Sequence, residues 1–391
     1  MTRTPTPPNL SGRVRALPAT PMRAMADLAD QQDGDVVNLA FGDPDFDTPE
    51  HVVAGATEAA AAGETHYTNN FGIPPLREAI ADWYADRGVT VDPGTEVAVT
   101  TGAIQGLAFA ILAVADPGDE VVVPTPAWPS YFTQVRVAGA ALVPVSLNPA
   151  DGFALDPDAV ADAVTDQTTA VVLSSPSNPT GQVFDADAIE RVVRTARAHD
   201  AWVIADEVYG ELVFEGDFES VAAQSDYDRI VVANSASKTY AMTGWRVGWL
   251  VGPEAIVGTT AQLHQAFSTC ASSLSQHALL AALEGPQDVV ADMRAAYRER
   301  RDYVVDRIAD IDGVDAPTPA GGFYVFADVR DLGHSSLEVA RTLVEDYGVV
   351  TAPGVGFGDA GEGHLRISFA SSMADLETAF DRLESFAQDT R

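Results

Sequence analysis

The chain has 391 residues, 46% of them hydrophobic, with 57 acidic against 23 basic side chains, a net charge of −34 and one cysteine, Cys270. This supports a sizeable core in two domains, or in one large domain with an appendage. The charge argues against nucleic-acid and anionic-membrane partners, and a lone cysteine excludes an intrachain disulfide and any multi-cysteine metal site.

The opening MTRTPTPPNL has no apolar core, so it does not read as a signal peptide. No apolar run approaches the ~20 residues that cross a bilayer. With the single cysteine this reads as a cytoplasmic protein. The first twenty residues, rich in proline and threonine, read as an extended arm. After residue 36 the pattern alternates. A short strand at 96–101 leads into a helix over 102–115 and the turn DPGD at 116–119. Further β-rich runs lie at 120–124, 141–147, 170–174, 202–206, 230–234 and 246–251. Short apolar strands alternating with helices predict an α/β fold with a mainly parallel sheet covered on both faces. The last third differs: a long charged helix at 286–311, a strand at 322–329, a helix at 336–347, a strand at 364–369 and a closing helix from 373. It reads as a smaller α+β domain. The expected division is 1–44 as the arm and part of the small domain, 45–285 as the large domain and 286–391 as the small C-terminal domain.

In open α/β sheets ligands sit beyond the carboxyl ends of strands, and the chemically suggestive residues follow predicted strands. TGAIQG at 101–106 opens a helix whose free amides suit a phosphate. SNPTG at 177–181 places Asn178 either in its own turn or against a ligand. DEVY at 206–209 puts Asp206 at the end of an apolar strand, where an acid is costly without a partner. It caps the next helix or holds a protonated ring nitrogen, and Tyr209 follows on the same side of that helix. SASKTYAMTGWRVG at 235–248 carries Lys238, the only lysine; the other 22 basic residues are arginine. Where a solvated charge suffices, this chain uses arginine, so a retained amine points to chemistry that arginine cannot do. Ser235, Ser237 and Arg246 supply donors for a phosphate.

The order of Gly102-Ala103-Ile104, Trp128, SNPTG, DEVY and SASKTYAMTGWRVG closely resembles the class I and II aminotransferases, fold type I enzymes that use pyridoxal 5′-phosphate. The resemblance runs from about 42 to 370. It implies that Lys238 forms a Schiff base with the cofactor aldehyde. It implies that Asp206 pairs with the pyridine nitrogen so that the ring can act as an electron sink. Tyr209 and Asn178 would bond the ring's phenolic oxygen. Trp128 would stack on the ring, its alternative being core packing. Ser235, Ser237, Arg246 and the backbone of Ala103 and Ile104 would hold the phosphate. Tyr67, in HYTNNFG, resembles the tyrosine that reaches the phosphate of the partner subunit, which implies a homodimer with shared sites. Arg366, in HLRISFA, resembles the arginine that binds the substrate α-carboxylate, with Gly42 bringing backbone close to it. The implied activity is ping-pong transfer of an amino group between an L-amino acid and a 2-keto acid.

The same scaffold supports lyases that cleave carbon–sulfur bonds, synthases acting on activated methionine, and cofactor-binding regulators fused to DNA-binding domains. Only ~40 residues precede Gly42 here, with no helix-turn-helix pattern. Some aspartate-specific relatives carry a lysine where this chain has Ile104, which puts aspartate specificity in doubt. Arg23 reads as a solvated surface residue, its alternative being a second cation for a distal carboxylate. Phe41, Phe323 and Tyr324 line a pocket or belong to the core. Acid excess with almost no lysine reads as adaptation to very high salt, where self-repulsion is screened.

Overall fold

The computed structural model describes residues 11–15, 17, 21–32, 34–216, 218–224 and 228–390. Most of the expected extended arm lies outside this set. Within it, Gly12–Arg15 and Pro21–Ala29 are helices, not extended chain. Pro21–Ala29 packs against Ser336–Tyr347 and Ala352–Pro353.

Seven strands form the main sheet. Their spatial order is Val97–Thr100, Gly248–Val251, Ile230–Ser235, Trp202–Asp206, Thr168–Ser174, Glu120–Thr125, Ala141–Ser146. Every neighbouring pair is parallel except the two made by Gly248–Val251. The expected runs are all present, with ends shifted by a residue or two. At 246–251 the start moves two residues inward, because Arg246 sits at φ 52° after a 3₁₀ turn and pairing starts only at Gly248. The central strands are apolar on both faces because helices cover both. Ala170, Val171, Val203 and Ile204 are fully buried.

The long helix Asp288–Ala309 buries Val290, Met293, Tyr297, Arg301, Val304 and Ile308, a spacing of three and four that defines one face. Beyond it, Tyr324–Asp328, His364–Ser368 and Ala352–Pro353 form a three-stranded antiparallel sheet. Val37–Asn38 pairs in parallel with Val349–Val350. Among the described residues no helix is long and apolar enough to cross a membrane.

The reversed strand decides where the site forms. The carboxyl ends of Val97–Thr100, Thr168–Ser174, Trp202–Asp206 and Ile230–Ser235 share one edge of the sheet. Gly248–Val251 runs the other way, so its leading end reaches that same edge and delivers Arg246 there.

Candidate active site

A cavity of about 360 Å³ opens at this edge. It is lined by Gly42, Ala103, Ile104, Trp128, Asn178, Asp206, Tyr209, Ser235, Ser237, Lys238, Arg246 and Arg366. Tyr67 is the one expected site residue it lacks; that side chain stands 85% exposed in the loop before Pro74–Ala85.

Lys238 lies on Ala236–Thr239, a four-residue helix that starts directly after its strand and is capped by the Ser235 side chain. Its Nζ donates to the carbonyl of Gly42 at 2.5 Å. Burial pulls the amine down to about 8; Arg366 and Arg246 act in the same direction, while Asp43 and Asp206 oppose it. A substantial neutral fraction is therefore present at mildly alkaline pH.

Asp206 ends its strand deep in the sheet, and burial raises its carboxyl to about 6. The Tyr131 hydroxyl donates to Asp206 Oδ2 at 2.6 Å and restrains that rise. Among the described residues no cation pairs with Asp206. Nothing in the sequence tied Tyr131 to this acid; the usable signal was its place one turn after Trp128, in a helix opening at the same sheet edge. The two rings meet edge to face, centroids 5.5 Å apart. Asp206 caps no helix, and Tyr209 lies in a turn instead of the expected helix. The turn still brings Tyr209 into the cavity, where its hydroxyl donates to that of Tyr324 at 3.1 Å. Burial raises the Tyr209 hydroxyl well above the ordinary tyrosine range.

Arg366 is buried on His364–Ser368. One terminal nitrogen donates to Asn178 Oδ1 at 2.9 Å and the other to the carbonyl of Ala40. Its guanidinium lies 4.2 Å from the Tyr324 ring centre. Nε is buried without a partner, and no carboxylate reaches the group among the described residues. A buried cation bonded only to neutral acceptors is an incomplete ion pair. Gly42 is required where the chain passes Tyr324, since a Cβ there would sit 1.5 Å from the tyrosine hydroxyl.

At the other end of the cavity Ala103–Val114 begins with no side-chain cap, leaving its first amides open. Gly102, at φ 73°, lies against Arg246, whose terminal nitrogen would be 2.8 Å from an added Cβ. Ser235, Ser237 and the Arg246 guanidinium complete this end. Phe41 and Tyr324 also line the cavity, while Phe323 is fully buried against Tyr209.

The comparisons with known proteins agree with this geometry. Residues 34–383 match the family model described as aminotransferase class I and II. The aspartate/prephenate aminotransferase of Thermus thermophilus is 39% identical over 95% of this chain and 97% of its own length. A probable N-acetyl-LL-diaminopimelate aminotransferase of Bacillus subtilis is 37% identical over 98% and 96%. The crystal structure of an aromatic aminotransferase from Pyrococcus horikoshii superposes with a TM-score of 0.89 at 36% identity, covering 93% of this chain and 99% of that one. These relatives favour transamination over the lyase, synthase and regulator alternatives. The chain belongs to the class I and II aminotransferases, with their fold type I architecture, and is a pyridoxal-phosphate-dependent enzyme that moves amino groups between amino acids and keto acids.

Proposed function

We propose that this enzyme carries out ping-pong transamination with Lys238 as the cofactor's attachment point and the proton carrier. The observation that carries the reading is the lone lysine amine, half-buried in the cavity, held at about 8 and set among Arg366, Arg246 and Asp206. The donor set fits the cofactor. An amine with a neutral fraction suits its aldehyde. A buried acid without a cation suits its ring nitrogen. Open helix amides, two serine hydroxyls and a guanidinium suit its phosphate. Gly102 and Gly248 keep that cradle clear: a Cβ on Gly248 would lie 2.6 Å from the Ala103 amide nitrogen.

When bound, pyridoxal phosphate supplies a carbonyl for the amino group and a protonated ring that accepts electrons as the substrate Cα–H bond breaks. The protein does the rest. Asp206 keeps the ring nitrogen protonated. Tyr209 and Asn178 hydrogen-bond the phenolic oxygen, and Trp128 packs on the ring. Ser235, Ser237, Arg246 and the Ala103 and Ile104 amides grip the phosphate. Arg366 holds the substrate α-carboxylate two-pronged, and Gly42 brings backbone beside it. Fixing the carboxylate fixes which Cα bond is weakened, so a proton leaves and carbon dioxide does not. Lys238 Nζ takes that proton as a base. The exposed Tyr67 serves a partner subunit's site, so the working unit is a homodimer. The division at 44/45 and 285/286 belongs to the same proposal, the seven-stranded sheet falling on one side of it and the three-stranded sheet on the other. We place the enzyme in the cytoplasm.

The direct test is a panel of amino donors against 2-oxoglutarate and pyruvate in molar salt. Turnover that requires a keto acid and releases no ammonia is expected. Pyruvate and ammonia from a sulfur amino acid without any acceptor would instead identify a lyase.

Tyr131→Phe probes Asp206. Losing a hydrogen bond to a charged group is expected to weaken cofactor binding about 10-fold at neutral pH. The carboxyl then rises further above about 6. The ionised fraction, and with it cofactor affinity, falls away at a higher pH than in the native protein. Equilibrium dialysis across pH 5.5–8 measures this; superimposable curves would remove Tyr131 from the scheme.

A further inference from the structure

His264, on Glu254–Phe267, is fully buried and has no part in the roles assigned above. Its ring meets Phe109 edge to face, centroids 5.3 Å apart. Each ring nitrogen faces an oxygen. Nδ1 is 2.7 Å from the carbonyl of Asn70, and Nε2 is 2.7 Å from Gln105 Oε1. Those oxygens belong to the two segments that the proposed phosphate site draws on. Asn70 stands three residues after Tyr67, in the same loop. Gln105 stands in the first turn of Ala103–Val114, the helix with the open amides.

The hydrogen pattern restricts what the ring can do. A backbone carbonyl only accepts, so Nδ1 carries a hydrogen and donates to Asn70. Gln105 Oε1 already accepts from the Thr101 amide at 2.8 Å, while Gln105 Nε2 donates to Ser268 Oγ at 3.0 Å. With hydrogens on both ring nitrogens, Oε1 takes the second one together with the Thr101 amide. With a neutral ring, two acceptors face each other unless Gln105 turns its amide, and then the Thr101 N–H loses its partner. In both cases the ring decides how Gln105 points, and Gln105 decides whether Thr101 is held. Thr101 leads directly into Gly102, against which Arg246 lies. The loop side is fastened as well. Asn70 Nδ2 donates to Gln265 Oε1 at 3.1 Å and to the carbonyl of Ala261 at 3.2 Å, and the carbonyl of Phe71 accepts from the Val99 amide.

We infer that His264 is a positioning residue for the cofactor phosphate, coupling the loop that carries Tyr67 to the turn at 101–103. One buried ring then sets both the grip a subunit has on its own phosphate and the tyrosine it offers to its partner. This rests on the phosphate-binding roles proposed above. A histidine that merely fills the core would show neither specificity for the phosphate nor dependence on Gln105.

The test uses the apoprotein of the full chain in molar potassium chloride. Equilibrium dialysis measures its affinity for pyridoxal 5′-phosphate and for pyridoxal, which has the same ring and aldehyde without the phosphate. His264→Leu is expected to weaken the phosphate ester about 10-fold and pyridoxal by less than about 2-fold. Gln105→Leu should give the same pattern, and the double variant should bind about as well as either single one, because both residues lie on one path. His264→Gln, which can still donate, should recover part of the loss. Tyr67→Phe should weaken binding of the ester less in the His264→Leu background than in the native one. Equal losses for the two ligands, no loss for either, or losses that multiply in the double variant would each overturn the role of His264 and leave transamination standing. Full additivity with Tyr67→Phe would overturn the coupling to the loop. If His264→Leu does not fold, Gln105→Leu and His264→Gln are judged by the same comparison of ligands. A native protein that binds pyridoxal as tightly as its phosphate ester overturns the phosphate cradle itself, and this inference with it.

Discussion

Lys238→Ala is expected to lower turnover on the order of 10⁴-fold or more, because one nitrogen serves both as the attachment point and as the base. Lys238→Arg should not recover it. Arginine keeps the positive charge and much of the reach, so a merely electrostatic role would survive the change; a guanidinium that never loses its proton cannot do this chemistry. Borohydride treatment of cofactor-loaded native protein followed by peptide mapping should label the peptide containing residue 238, and both variants should lack that label. The pH dependence follows from burial. Only the neutral amine condenses with an aldehyde, so cofactor uptake by the apoprotein should accelerate as pH rises through about 8, far below the ordinary lysine range. Uptake that climbs only near pH 10 would mean that the amine is solvated and that the cavity does not set its reactivity.

Withdrawing salt should have an effect of similar size on the fold. Among the described residues Asp206 and Glu207 are the only buried acids, so nearly all of the negative charge is on the surface. At 1 M ionic strength the screening length is about 3 Å, and at 0.01 M about 30 Å. In dilute buffer each carboxylate therefore feels many others across a protein of net charge −34. We expect Tm to rise by about 10 °C or more between 0.1 M and 2 M potassium chloride, and the proposed homodimer to separate at the low end. The same melting curve and full activity in both buffers would show that the acids are innocuous and that no adaptation to high salt is present.

Much of this architecture is written locally. The parallel strands announce themselves because a strand covered on both faces must be apolar throughout, as at 170–173 and 203–205. Lys238, Asp206 and Asn178 were legible because each sits at or just past the end of such a strand, where topology guarantees a shared edge. What escaped the sequence depends on contacts between distant segments. Tyr131 was missed because its partner lies 75 positions away. Tyr209 was placed on a helix because four residues cannot distinguish a turn from a first helical turn. Arg246 was assigned to a strand because φ 52° at a non-glycine residue has no compositional signature. Tyr67 is a different matter, since the contact proposed for it lies in a second subunit.

The reversed strand beside Val97–Thr100 has one more consequence. The nine residues from Lys238 to Arg246 act as a fixed-length tether between the proposed reacting nitrogen and the proposed anion grip, anchored at both ends by sheet pairing at Ser235 and Gly248. Neither end can drift without breaking that ladder, so loss or gain of a single residue within the tether would throw both groups out of step at once.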